Sequence, residues 1–149
     1  LGLSVRNWTD NYAPLLQSDP KDKDDVLPAL RKLLAAICGQ ALSVTAVKMF
    51  RLLNTEFPGK DDLLKKYNEN GIARGQQLLT EWITRQQKQG WLPMLPADTS
   101  AKVILAMCVA EPLRQAAIGL IDLVEKTVIE AHLDSCMPFI LLIFRQGDE

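Results

Sequence analysis

Apolar residues recur at intervals of three and four along most of the chain, the spacing that places side chains on one face of an α-helix. The pattern predicts helices near residues 5–16, 26–37, 44–57, 63–67, 72–89 and 98–109. The sequence has no paired runs of alternating apolar and polar residues around a short turn, so it contains no hairpin signal. An all-α chain is therefore expected.

Capping residues set the expected boundaries of several helices. Ser43 or Thr45 is placed to cap the third helix, because a hydroxyl there can accept a hydrogen bond from a free backbone N–H. Gly71 is expected to end the fourth helix in a left-handed conformation, and Gly90 is expected to close the fifth.

The last third of the chain predicts two further elements. A long helix is expected from Pro112 to about His132, with a wide apolar face that makes it the central element of the fold. The segment from Phe139 to Phe144 (FILLIF) is apolar throughout, so its periodicity cannot distinguish a helix from a buried strand. Helix-start residues before it, and the lack of a partner strand elsewhere, favour a helix.

These elements amount to a compact irregular bundle of about seven or eight helices that fills the whole chain as a single domain. No repeat of fixed length is present, which argues against a regular solenoid. The chain begins with Leu1 rather than Met, and we expect it to be excised or processed from a longer protein.

Composition narrows the class of protein. Of the 149 residues, 48% are hydrophobic and 23% are charged, which disfavours disorder. The formal net charge is −1, whereas proteins that neutralise many phosphates usually carry a basic excess. No apolar run reaches the length of about 18 residues that a membrane helix needs.

Cys38, Cys108 and Cys136 lie in apolar stretches and are expected to be free, buried thiols of an intracellular protein, cytoplasmic or nuclear.

Catalytic and metal-binding patterns are weak. His132 is the single histidine, and it would stack on Cys136 only if one helix continued past both, which Pro138 argues against. The carboxylate pairs Asp24-Asp25 and Asp61-Asp62 stand where helices should begin, so helix capping explains them better than a metal does. No phosphate-binding loop or dinucleotide fingerprint is present. We therefore expect no enzyme activity, no cofactor, no metal and no small-molecule substrate.

Two apolar segments are candidates for binding a protein partner. Prolines hold the loop that contains Trp91, Leu92, Met94 and Leu95, so its side chains could anchor a partner at low entropic cost. The segment bounded by Phe139 and Phe144 could pack against a second copy or against the rest of the parent protein. Burial within the chain is an alternative for both. The main hypothesis is a non-enzymatic protein–protein interaction, assembly or scaffold domain.

A second hypothesis is a helical nucleic-acid-binding module, such as part of a nucleoprotein. It depends on basic residues in the middle of the chain, which folding could gather into one patch that contacts phosphates. These residues are Lys48, Arg51, Lys65, Lys66, Arg85 and Lys88. A solvated outer face explains the same residues without a ligand.

Overall fold

The computed structural model of the chain describes residues 13–123 and 126–145. Every regular element in these ranges is helical. The α-helices are α1 (Ala13–Gln17), α2 (Val26–Ala41), α3 (Val44–Leu53), α4 (Lys60–Tyr67), α5 (Ala73–Lys88), α6 (Ala97–Leu105), α7 (Glu111–Ala117) and α8 (Lys126–Ile143). A short 3-10 helix, Lys23–Asp25, precedes α2. The all-α prediction is confirmed.

Two π-helical segments join four of these helices into longer rods. The first π segment, Asn68–Ile72, connects α4 to α5, and the second, Ala106–Ala110, connects α6 to α7. In a π segment the backbone hydrogen bonds join residues i and i+5 rather than i and i+4, which makes the helix wider, and such segments are often found at functional sites. The described residues therefore form six helical rods, in agreement with a compact irregular bundle.

The main core lies around α2. This helix buries Leu30, Leu33, Leu34 and Ile37 and packs against α8 and the second π segment. Trp82 and Ile83 of α5 enter the same core. On the surface, the Arg31 guanidinium joins α2 to α8 through Glu130 Oε2 at 2.6 Å and Asp134 Oδ1 at 3.0 Å.

Two predicted helix boundaries are confirmed by their hydrogen bonds. The Ser43 hydroxyl accepts from the N–H of Ala46 at 3.1 Å and caps α3. Gly90 has a φ of 77°, and its N–H and that of Trp91 donate to carbonyls in the last turn of α5. This pattern is the Schellman motif, in which a left-handed glycine ends a helix.

Three sequence-based expectations about helix continuity are wrong. Gly71 ends no helix, because the first π segment carries the chain through it into α5. The expected long helix from Pro112 to His132 is broken after Ala117, where Gly119 adopts a φ of 86°. Pro138 does not end a helix, since it lies inside α8.

Phe139 to Phe144 is helical, as favoured from the sequence, and belongs to α8 except for its last residue. The helix predicted near residues 5–16 lies largely outside the described residues. Within the described ranges, no single helix has the length and hydropathy of a membrane span. The two helical segments Lys23–Ala41 and Val44–Leu53 reach that length and hydropathy only when taken together, and a bend of 62° separates them.

Candidate functional site

A cavity of about 490 Å³ lies between α2, α3 and the two π-containing rods. We call it the apolar cavity. Its volume falls within the range of roughly 300–1,000 Å³ that is typical of small-molecule sites. It is lined by Ile37, Gln40, Ala41, Phe50, Tyr67, Gly71, Ile72, Gly75, Gln76, Lys102, Leu105, Ala106, Val109, Ala110, Leu113 and Arg114.

Both π segments form part of the cavity wall. Gly71 and Ile72 come from the first π segment, and Ala106, Val109 and Ala110 come from the second. Most of these side chains are small, so they leave open space beside the π-helical backbone. The helical irregularities and the open space therefore coincide.

One edge of the cavity follows the α6–α7 rod. Lys102, Ala106, Ala110 and Arg114 are spaced four residues apart, line the cavity and are all exposed. Residues at this spacing lie on one side of a helix. They form the outer edge of the cavity, with a cation at each end and two alanines between them.

The two cations of this edge differ in their partners. Arg114 donates from Nη2 to Glu111 Oε1 at 2.6 Å and from Nε to Glu111 Oε2 at 2.9 Å. These bonds, together with one from Gln115, lower the pKa of the Glu111 carboxyl to about 2, so the pair stays ionised at neutral pH. The Lys102 ammonium makes no hydrogen bond or ion pair with any residue in the described ranges.

Comparison with known proteins identifies the family. The sequence profile of the family "AefR-like transcriptional repressor, C-terminal domain" matches residues 28–146, which is most of the chain. The chain belongs to this family. It is a TetR-type repressor C-terminal domain.

The fold agrees with this assignment. A crystal structure of a protein described as a TetR-family transcriptional regulator from Mesorhizobium loti superposes on the repressor domain with a TM-score of 0.76. The sequence identity is 15%, and the match covers 95% of this chain and 68% of the other. No protein among the curated sequences matches the chain.

The loop that was predicted to bind a partner is largely folded onto the repressor domain. Leu92 is buried, Trp91 and Leu95 are half-buried, and Met94 alone projects outward with 81% of its surface exposed. Gln87 of α5 holds the loop, since its side-chain amide donates to the carbonyls of Pro93 and Leu95 at 3.0 and 2.6 Å.

The predicted residues at the end of the chain separate onto two sides of α8. Phe144 is buried, together with Ile140 one turn before it. Phe139 is 60% exposed and Leu142, three residues later, is 59% exposed. The α8 face, defined here by Phe139 and Leu142, is therefore available for an apolar contact.

The six basic residues of the nucleic-acid hypothesis lie on α3, α4 and α5, and three of them have partners within the chain. Arg51 donates to backbone carbonyls of α7, and Arg85 pairs with Asp19 at 3.0 Å. Lys66 pairs with Asp62 at 3.4 Å. Lys48, Lys65 and Lys88 lie exposed on the surface. The hypothesis stays a prediction that depends mainly on these last three.

The cysteines are buried, as expected, and lie close together. Cys136 Sγ is 3.5 Å from His132 Nε2, so the helix does stack the two, contrary to the expectation from Pro138. Cys38 Sγ lies 3.5 Å from the carbonyl oxygen of Cys108. Burial raises the pKa of the Cys38 thiol to about 12 and that of Cys108 further, which disfavours a reactive thiolate at either residue. Across the described part of the chain, no group of three or more potential ligands could hold a metal ion.

The sequence does not predict the apolar cavity. Hydrophobic periodicity places its wall residues on helix faces, or at a helix end in the case of Gly71, and contains no information on the space between helices. The available signal was the run of small residues at four-residue spacing, Gly71 and Gly75 in one rod and Ala106 and Ala110 in the other.

Proposed function

We propose that this chain is the effector-binding and dimerisation domain of a transcriptional repressor of the TetR type. In this proposal a small apolar molecule binds in the apolar cavity, and a second copy of the chain packs on α8. The observation that carries the proposal is the apolar cavity, whose wall includes both π segments.

The position of the cavity suggests how an effector could act on the rest of the domain. The second π segment lines the cavity and also contacts α8, where His132 Nε2 lies 2.9 Å from the carbonyl oxygen of Met107. A ligand that shifts this segment would shift the hydrogen-bond partner of α8. The proposed effector site and the proposed dimer helix are therefore joined by direct contact.

The proposed dimer surface is supported by the composition of α8. From Ser135 to Ile143 the helix carries no charged residue, although Phe139, Leu141 and Leu142 face outward. A surface helix of a globular domain normally presents polar residues on its outer face. An apolar outer face of this kind is typical of a contact with another protein.

A repressor must also bind DNA, and in TetR regulators an N-terminal domain does so. We therefore place DNA contact outside the bundle, and the protein inside the cell, where its DNA target lies. The assembly role inferred from the sequence becomes, in this proposal, self-association within a regulator.

The effector site is tested with an environment-sensitive apolar fluorophore, N-phenyl-1-naphthylamine. We expect saturable binding to the wild-type chain and at least about tenfold weaker binding to Ala106→Trp, whose indole would occupy the cavity edge. The matched control is Val103→Trp, on the exposed side of the same helix and outside the cavity lining. Unchanged binding by Ala106→Trp would overturn the proposed site.

A further inference from the structure

The charges around the apolar cavity are of one sign. Among the lining residues in the described part of the chain, Lys102 and Arg114 are the only side chains with full charge at neutral pH, and none is a carboxylate. Glu111 neutralises Arg114 through two hydrogen bonds. The Lys102 ammonium is therefore the lining charge that has no counter-ion among residues 13–123 and 126–145.

We infer that the ligand of this cavity is an amphipathic carboxylate, with its apolar body inside and its carboxylate at Lys102. The inference rests on the proposed effector site and specifies the chemical class of the effector. A single anionic head is what one unpaired ammonium can neutralise, and an ammonium–carboxylate hydrogen bond is stronger than a neutral one.

The arrangement of the lining residues sets the orientation of such a ligand. Ile37 and Leu113 are buried, whereas Lys102 and Ala106 are exposed at the edge of the cavity. An apolar chain gains free energy by leaving water for the aliphatic interior. A carboxylate would lose free energy on entering that interior unpaired. The head therefore stays at the edge, beside Lys102, while the chain points inward.

The neutral polar groups of the wall are compatible with this ligand. Gln40 and Gln76 line the cavity, and their amides can donate to a carboxylate oxygen without adding charge. A cationic amphiphile would instead place like charges together at Lys102 and Arg114. A neutral amphiphile would leave the ammonium uncompensated as the ligand covers it.

Displacement of bound N-phenyl-1-naphthylamine provides the test, with straight-chain ligands used below their micelle concentrations. Decanoate, decanol and decyltrimethylammonium share one apolar body and differ in charge. We expect the wild-type chain to bind decanoate about tenfold more tightly than decanol, and the cation most weakly. The preference should disappear in Lys102→Met, persist in Lys102→Arg and be unchanged in Lys32→Met, a control on the exposed side of α2.

The outcomes separate this inference from the proposed function. If none of the three ligands displaces the fluorophore from the wild-type chain, the effector site itself fails. If decanoate and decanol bind equally well, the site stands and the carboxylate assignment is overturned. A preference for decanoate that survives in Lys102→Met but is lost in Arg114→Met would also overturn the assignment to Lys102.

Discussion

The Arg51 guanidinium on α3 donates from Nε to the carbonyl oxygen of Ala117 at 2.8 Å. Its Nη2 donates to the carbonyl oxygen of Ala116 at 2.9 Å. These are among the last carbonyls of α7, which have no N–H partner within the helix. A cation at this end also interacts favourably with the helix dipole. The backbone itself turns at Gly119, whose N–H donates to the carbonyl of Ala116 at 3.2 Å. Arg51 adds side-chain donors to this helix end and holds α7 against α3.

Replacing Arg51 with Ala should lower the free energy of unfolding by about 1–2 kcal/mol, because two charge-assisted hydrogen bonds are lost at a partly solvated site. Urea denaturation followed by circular dichroism measures the change. Lys48→Ala, one turn earlier on α3, is the control and should shift the unfolding free energy by less than about 0.5 kcal/mol. Equal effects of the two substitutions would contradict the capping role of Arg51.

The same region shows why the sequence predicted one helix where the structure has two. Apolar residues continue at helical spacing from Leu113 through Leu120 to Leu123, so the pattern contains no break. In the structure Leu120 lies in the connection and is 66% exposed. Gly119, with its left-handed backbone, was the local sign of the break. The Arg51 contact comes from 65 residues away in sequence, so a local pattern cannot show it.

At Pro138 the difference is the reverse, since the sequence indicates a helix end where the structure has a continuous helix. Its ring removes the hydrogen bond that the carbonyl of Asp134 would accept within α8. Asp134 and Pro138 are both exposed, so water can reach the free carbonyl. Packing of the buried residues on either side, Leu133 and Ile140, then maintains the helix through the proline.

Local signals predicted the caps at Ser43 and Gly90 and the burial of the three cysteines, because each depends on neighbouring residues or on side-chain polarity. The apolar cavity depends on the relative placement of four rods and on two π segments. The small residues Gly71, Ala106 and Ala110 belong to the π segments, but Gly71 also fits an ordinary helix end and the alanines an ordinary helix face, so the sequence alone does not reveal the cavity. The packing of the helices against one another, and not the local sequence, determines that the chain continues through Gly71 instead of ending a helix there.

Introducing a charge on the α8 face should weaken self-association. Phe139→Glu places a carboxylate where the proposed dimer buries an aromatic ring, and we expect the dissociation constant of the dimer to rise at least about 100-fold. Sedimentation velocity across a concentration series measures this constant. Leu120→Glu is the control, because Leu120 is a similarly exposed apolar residue in the α7–α8 connection.

Two results would contradict the proposed dimer. The first is a wild-type chain that stays monomeric at all concentrations. The second is a Phe139→Glu dimer as stable as the wild-type one.

The buried Cys38 thiol should make stability depend on pH in the alkaline range. Its pKa is raised by burial from 9.0 to about 12, so below pH 9 it is neutral in both the folded and the unfolded state. Above pH 9 only the unfolded chain ionises, and the free energy of unfolding should fall by about 1.4 kcal/mol per pH unit for this thiol until pH about 12. Urea denaturation under reducing conditions between pH 8 and about pH 10.5 measures the slope.

Cys38→Ala separates this effect from other alkaline titrations. The substitution should lower stability at every pH, because it removes buried sulfur, but it should make the slope above pH 9 shallower. Cys108 titrates in the same direction and should account for part of the slope that remains. An identical slope in the wild type and in Cys38→Ala would show that Cys38 ionises equally in both states.

Gln87 should control the order of the loop from Trp91 to Leu95. Gln87→Met keeps the side-chain length but removes the amide that donates to Pro93 and Leu95. The two carbonyls then lose a buried donor, and we expect a loss of about 1–3 kcal/mol in the free energy of unfolding. Chymotrypsin should also cleave after Trp91 several times faster. Gln89→Met, exposed at the end of the same helix, is the control, and equal cleavage rates in the two variants would show that Gln87 does not hold the loop.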